Sequence, residues 1–286
     1  MIMIKEYLIE KGLFSINTIL IILSSLMVIF LLNESIPIIQ NYGIGDFIFG
    51  LTWSPDNNIF GILPMIAGSV IITGLSLVLS IPLAISCAIF LEEIAPSNIK
   101  KLFKPIIQTL AGIPSVIYGF FGLTVIVPLI RNNFTGSGFS VITASIILAA
   151  MILPTIISVS QDAIKSVPDN YKEASFGLGS THWQVIRNII LPTALPGIVT
   201  AIILGIGRAI GDTLAVLMLV GNVNIIPTSI FEPARTLTSN IALEMGYATG
   251  IHYNALFTTA TVLFAMIIIL MSICWMIQKR GVGNAC

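Results

Sequence analysis

The sequence predicts an all-α protein that crosses a membrane about six times. Composition is the first observation: hydrophobic residues make up 56% of the 286 and charged residues only 9%, with a mean hydropathy of +1.01. A soluble globular chain carries about 25% charged residues. The second is the recurrence of apolar runs of about 20 residues, the length of helix that crosses a bilayer with every backbone group satisfied internally. The third is charge placement, taken up once the runs are laid out.

The first run, Ile16 to Leu32, follows Lys5 and Lys11. No small-residue cleavage site comes after it, so it reads as a retained span and not a signal peptide. Residues 33–61 hold Glu34, Asp46, Asp56 and Trp53 but no Lys or Arg. The second run, Ile62 to Leu91, would be about 45 Å long as one straight helix, longer than a hydrocarbon core of about 30 Å. With Pro64 and Pro82 inside it, a tilt, kink or protruding end is expected. The third run, Ile106 to Ile130, contains Gly112, Pro114, Gly119, Gly122 and Pro128. Neighbouring protein or cavity water must satisfy the backbone groups that these residues free. The fourth is about Phe139 to Val159, the fifth about Thr193 to Val220, and the sixth Ala255 to Ile277, ending at Lys279-Arg280.

With six spans, ten basic residues share the side of the termini: Lys5, Lys11, Lys100, Lys101, Lys104, Lys165, Lys172, Arg187, Lys279 and Arg280. Arg131 and Arg235 fall on the other side, and Arg208 lies within a span. Basic loops stay in the cytoplasm, so both termini and the polar insert between spans four and five are expected there, in a multi-pass protein of the cell membrane. Net charge is zero and no basic stripe supports nucleic-acid binding. Cys87, Cys274 and Cys286 have no paired spacing, and His182 and His252 have no companion at metal-ligand spacing, so neither a disulfide framework nor a metal site is expected. No Ser/His/Asp or Cys/His constellation is recognisable.

The polar insert carries its own punctuation. Ser166-Val167-Pro168-Asp169 can cap a helix with Pro168 in its first turn, and Gly179 can end it. Thr181-His182-Trp183-Gln184 has the capping-box spacing for a second helix, which Pro192 would interrupt or re-aim. The insert is thus a helix–turn–helix with Tyr171, Phe176, Leu178 and Trp183 among its charges. Two readings fit that pattern: an amphipathic element lying on the membrane, or a docking surface for a cytosolic partner.

The spacing within the insert resembles a known signature. Glu173-Ala174-Ser175, then Gly179, then Ile189-Ile190-Leu191-Pro192 is similar to the EAA motif of the permeases of ABC importers, with Ser175 where Ala is usual. The resemblance implies that Glu173, Ala174, Ser175, Gly179, Ile189, Leu191 and Pro192 dock into a cleft of an ATP-hydrolysing subunit. It also implies a type I importer permease (MetI-like) core. The sequence has no G-x-x-x-x-G-K-[ST] P-loop of its own. ATP and magnesium are therefore expected on the partner, and no cofactor on this chain.

Within the fifth run, Arg208 and Asp212 stand four residues apart and would share a helix face. A charge at mid-membrane is penalised by about 2.5–3.5 kcal/mol on the insertion scale, so such groups face a bundle interior or water. A structural ion pair and an anion-contacting site beside a solute path both fit. Gly197, Ala201, Gly205 and Ala209 repeat at four-residue spacing, a ridge where another helix can approach closely. This suits a path between two permease subunits, and a structural lock equally.

Gly207-Arg208-Ala209-Ile210-Gly211-Asp212-Thr213 is similar to the Gly-Arg-Ala-x-Gly-Glu-Thr segment of phosphate-importer permeases. Residues 111–119, Pro227-Thr228-Ser229 and Arg235-Thr236-Leu237-Thr238 extend the resemblance over most of residues 62–275, toward the PstC type and away from its PstA partner. It implies a non-catalytic subunit working by alternating access with a PstA-type permease, an ABC ATPase dimer and an extracytoplasmic phosphate-binding protein. Arg208 offers forked donors to an oxyanion, and an ionised Asp212, one methylene shorter than Glu, can accept the hydroxyl proton that phosphate keeps and sulfate lacks. Thr213, Ser115 and Tyr118 are the other candidate path residues. The expected units are residues 1–61 with the first span, a core over 62–280 that includes the coupling loop 160–192, and a tail over 281–286. Rival readings are a permease for molybdate or sulfate, and a secondary transporter or membrane sensor. The absence of a strong inverted repeat weighs against the last pair.

Overall fold

The structure, a computed structural model, describes residues 2–134 and 136–283, with side chains described for 11–134 and 136–276. Among these residues six helices are long and apolar enough to cross a membrane: Lys11–Tyr42, Leu63–Ile94, Ser115–Asn133, Val141–Lys165, His182–Gly211 and Ile251–Met276. The all-α, six-span expectation therefore holds, with shifted boundaries. Cys286 and the tail from 284 onward lie outside the described residues.

Helix α1 (Ile2–Tyr42) is longer than the apolar run that announced it. It turns most of its apolar side chains outward, as a lipid-facing helix does, and packs along the last helix. A short α2 (Ile44–Phe49) and a two-stranded hairpin, β1 (Trp53–Ser54) with β2 (Ile59–Phe60), follow; Trp53 pairs with Phe60. Helix α3 (Leu63–Ile89) continues into a π-helical turn, Phe90–Ile94.

The third span departs from expectation. Residues 106–112 belong to a separate helix, α4 (Ser97–Gly112), and the span proper is α5 (Ser115–Phe121), a π-helical turn at Gly122–Ile126, and α6 (Val127–Asn133). Pro114 is the cause: the residue before a proline is pushed out of the α region, and Ile113 sits at φ −66°, ψ 129°.

Helix α7 (Val141–Lys165) is the most buried of the six and forms the centre of the bundle. The insert contains α8 (Asp169–Gly177) and α9 (His182–Val185). Its punctuation is partly as read. Gly179 adopts φ +84° and donates to the Phe176 carbonyl, and the Thr181–Gln184 capping box is present on both sides. Pro168, however, is the residue ahead of the helix and not in its first turn, while Ser166 bonds back to Ala163 and closes α7.

Pro192 does not interrupt the helix. Residues 186–190 form a π-helical turn that leads directly into α10 (Leu191–Gly211), so 182–211 is one continuous helix. The same device recurs: π-helical turns end two residues before Pro96, Pro128 and Pro192. The residue preceding each proline, Ala95, Val127 or Leu191, donates to the carbonyl five residues back. A proline lacks an N–H and crowds the carbonyl four residues earlier; at Pro128 and Pro192 a widened turn relieves both problems without ending the helix, whereas Ala95 is extended and the helix stops ahead of Pro96.

The fifth span ends at Gly211, not Val220. Asp212 is extended, and α11 (Leu214–Leu219) starts afresh after it. Helix α12 (Leu237–Glu244) and α13 (Ile251–Gly283) complete the chain.

In a bilayer, lipid tails are as apolar as side chains, so helices associate by close packing more than by the hydrophobic effect. The Gly/Ala ridge of α10 does this, but against α7 of the same chain. A Cβ at Gly197 would lie 2.4 Å from the Ala163 Cβ, and one at Gly205 would lie 2.8 Å from Ile156. At the insert end, Ala88, Ile164, Val167, Val185, Ile186 and Ile190 form a small cluster of their own. At the opposite, far end, Ile38, Phe47 and Phe60 share a cluster with Met65, Leu237 and Ala255.

Candidate functional site

The break at Pro114 builds the site. A helix end leaves its last carbonyls without intrahelical partners. Here the Tyr118 hydroxyl donates to the Leu110 carbonyl at 3.0 Å, and Arg208 Nη2 donates to the Ala111 carbonyl at 3.3 Å. Arg208 Nη1 also donates to Thr155 Oγ1 on α7 at 2.9 Å. The guanidinium thus joins three helices while keeping further N–H donors uncommitted in those bonds, since a guanidinium carries five.

Arg208 and Asp212 do not form the ion pair that their spacing allowed. No side-chain nitrogen–oxygen contact within 4 Å joins them among the described residues: the helix ends at Gly211, and Asp212, its N–H still bonded to the Arg208 carbonyl, is extended. The Asp212 carboxyl instead faces the Ser115 hydroxyl and the N–H groups of Ala215 and Val216 at the start of α11, with Arg208 still close enough to act on it through its charge. Its Oδ2 is buried and has no hydrogen-bond partner.

Ser115, Arg208 and Asp212 line one open cleft of about 480 Å³, with Ile113, Pro114, Met151, Gly207 and Gly211. Three of the five path residues read from sequence therefore meet. Tyr118 stands behind the cleft as a brace for α4, and Thr213 opens α11 without lining it. On the other side of Asp212 is a crack of about 10 Å³ among Thr73, Thr236 and Thr238. That is roughly the space of one water, so no oxyanion fits there. Thr238 Oγ1 donates to the Asp212 carbonyl across it at 3.4 Å.

The insert presents a second candidate surface. Glu173, Ala174 and Gly179 are exposed, Ser175 and Ile189 are half-buried, and Leu191 and Pro192 lie at the start of α10. Around them Tyr171, Phe176, Leu178 and Trp183 are exposed, Leu178 at 89%.

Sequence reading missed a buried polar network at the far end. Glu244, 5% exposed, accepts from Arg235 Nη1 at 2.8 Å and from Trp53 Nε1 at 2.8 Å, and its Oε2 lies 2.8 Å from His252 Nε2. Arg235 also reaches Asn240 Oδ1 at 2.8 Å and the Asn222 carbonyl at 3.0 Å. Nearby, Glu232 accepts from the N–H groups of Thr228 and Ser229, which hold its carboxyl below the usual carboxylate range. Among the described residues no group of three metal-ligating side chains is placed to hold a metal.

Residues 80–282 match the family described as the binding-protein-dependent transport system inner membrane component. This chain belongs to that family. It is an ABC importer permease. It is 44% identical over 242 residues to the probable ABC transporter permease protein YqgH of Bacillus subtilis, covering 83% of this chain and 76% of the relative. It is 36% identical over 265 residues to the phosphate transport system permease protein PstC of Haemophilus influenzae, covering 86% and 84%. Among solved structures, a chain of a bacterial alginate ABC transporter, in complex with its alginate-bound periplasmic protein, aligns with a TM-score of 0.65 at 19% identity over 96% of this permease and 95% of that chain. That likeness shows the fold of a type I importer permease. Membership of the family implies an ATPase and a substrate-binding protein as partners of this permease.

Proposed function

We propose that this chain is the PstC-type permease subunit of an ATP-driven importer of inorganic phosphate, paired with a PstA-type permease. It lies in the cell membrane with both termini and the insert in the cytoplasm, where the basic loops point. The 168–192 segment docks on an ABC ATPase dimer that holds ATP and magnesium, and an extracytoplasmic phosphate-binding protein delivers the solute to the far end. The permease itself performs no chemistry on its cargo; it binds and releases phosphate by alternating access.

The observation that carries the substrate reading is that one cleft is lined by a cation and by a carboxylate with one oxygen left unpartnered. Arg208 supplies N–H donors to phosphate oxygens. Asp212 Oδ2, buried and unpartnered, is suited to accept a hydrogen bond from the hydroxyl that phosphate retains near neutral pH. Sulfate has no such hydroxyl and would leave that oxygen facing an anion. A site built to bond a substrate hydroxyl rejects an analogue lacking it because its own polar group is left unpaired. The PstC names of several relatives point the same way.

The test is co-purification of the complex followed by ATP hydrolysis in reconstituted membranes. Phosphate with its binding protein is expected to stimulate hydrolysis, and sulfate is not. An Asp212→Asn permease of normal abundance is expected to lose most of its preference for phosphate over sulfate. Stimulation by sulfate or molybdate in place of phosphate would move the assignment to another oxyanion; no associated ATPase would undo it.

A further inference from the structure

We propose that Glu93 and Lys172 are positioning residues that fasten the docking helix α8 to α3, giving the ATPase a second route to the transport cleft. The route runs beside the continuous helix 182–211, which α8 also touches through Phe176 and His182. This inference rests on the reading that 168–192 docks an ATPase.

Helix α8 buries none of its own side chains. It is held at one end by the turn through Val167, itself 3% exposed, and at the other by the turn at Gly179. Between these ends Phe176 stacks on His182 of α9, and the attachment to α3 is Lys172, whose Nζ lies 3.0 Å from Glu93 Oε1. The pair is not an ordinary surface contact: the Glu93 side chain is 9% exposed and that of Lys172 19%. It is therefore less screened than an open ion pair, where salt and side-chain entropy consume most of the gain. Asp169, at 3.7 Å from Lys172 but 86% exposed, is a weaker companion. Glu93 lies in the π-helical turn Phe90–Ile94 at the insert end of α3. Lys172 adjoins Glu173 in the docking motif.

The far end of α3 is fastened as tightly. The Arg235 carbonyl approaches Gly68 so closely that a Cβ there would lie 2.4 Å from it, and the Leu237 N–H donates to Ser69 Oγ at 3.0 Å. The same 235–238 segment reaches the Asp212 carbonyl through Thr238. A movement imposed on α8 therefore passes through Lys172–Glu93 to α3, and along α3 to the segment that closes over Asp212. The strut turns on one ion pair, whereas the helix 182–211 turns on covalent continuity, so the two can be separated by mutation.

The experiment uses the whole reconstituted complex and reads phosphate transported per ATP hydrolysed, together with retention of the ATPase on purification. Glu93→Lys and Lys172→Glu are each expected to lower transport per ATP at least about fivefold while the ATPase is still retained. The double variant, with the charges exchanged, is expected to recover at least about half of the parent ratio. Single variants with a parent-like ratio, or a double variant as poor as the singles, overturn the strut. If the reversed charges prevent membrane insertion, Glu93→Gln and Lys172→Met carry the test, and a parent-like ratio in both overturns it. Loss of the ATPase from the parent complex, or its full retention with Glu173→Lys, instead counts against the docking reading.

Discussion

An Arg208→Gln permease is expected to reach the membrane at near-normal abundance and to import phosphate about 10- to 100-fold more slowly. Hydrogen bonds to a charged group are worth about 1.5–3 kcal/mol each, and about 1.4 kcal/mol is a factor of ten. Gln keeps an amide that can still donate to Thr155 or to the Ala111 carbonyl, the two partners of the guanidinium. The α4–α7–α10 junction should therefore survive while the charge in the cleft is lost. Arg208→Lys restores the charge but not the fork, and an intermediate rate is expected. Uptake at equal abundance within about twofold of the parent would show that Arg208 is only a brace. The measurement is labelled-phosphate uptake normalised to immunodetected permease.

Glu244→Ala is expected to be the most destabilising single change at the far end, by about 3–5 kcal/mol. Removing one partner of a buried ion pair leaves the other charge uncompensated. Arg235, with a side chain only 17% exposed, would be stranded, and Trp53 and His252 would each lose the same acceptor. On the scale of soluble domains of similar size that corresponds to a drop of about 10 °C in the melting midpoint, read by heating the detergent-solubilised permease. Removing both charges, with Arg235→Gln and Glu244→Gln, leaves no lone ion and should recover most of the loss. A midpoint for Glu244→Ala within about 2 °C of the parent would mean that water already reaches the network.

Much of the fold could be read from local pattern because membrane spans depend on local composition. The six apolar runs, Gly179 and the Thr181 capping box are each decided within a few residues. The candidate cleft was legible in part: Ser115, Arg208 and Asp212 meet, yet helical spacing placed Asp212 on the same face as Arg208. The Gly211-Asp212-Thr213 triplet was the available signal that the helix stops there. Pro192 misled in the opposite sense, because the chain absorbs it in a widened turn that single-residue propensity does not reveal. The far-end network was out of reach for another reason. Trp53 and Glu244 are 191 positions apart in sequence, and no local periodicity links them.

The unbroken course of residues 182–211 has a mechanical consequence. At about 1.5 Å per residue it is a lever about 45 Å long, with residues 189–192 of the proposed docking segment toward one end and Arg208 three residues from the other. Pivoting such a lever through only about 5° displaces its tip by about 4 Å. That exceeds the 2.9 Å bond between Arg208 and Thr155. A modest swing at the ATPase would thus be enough to carry Arg208 out of one set of contacts and into another.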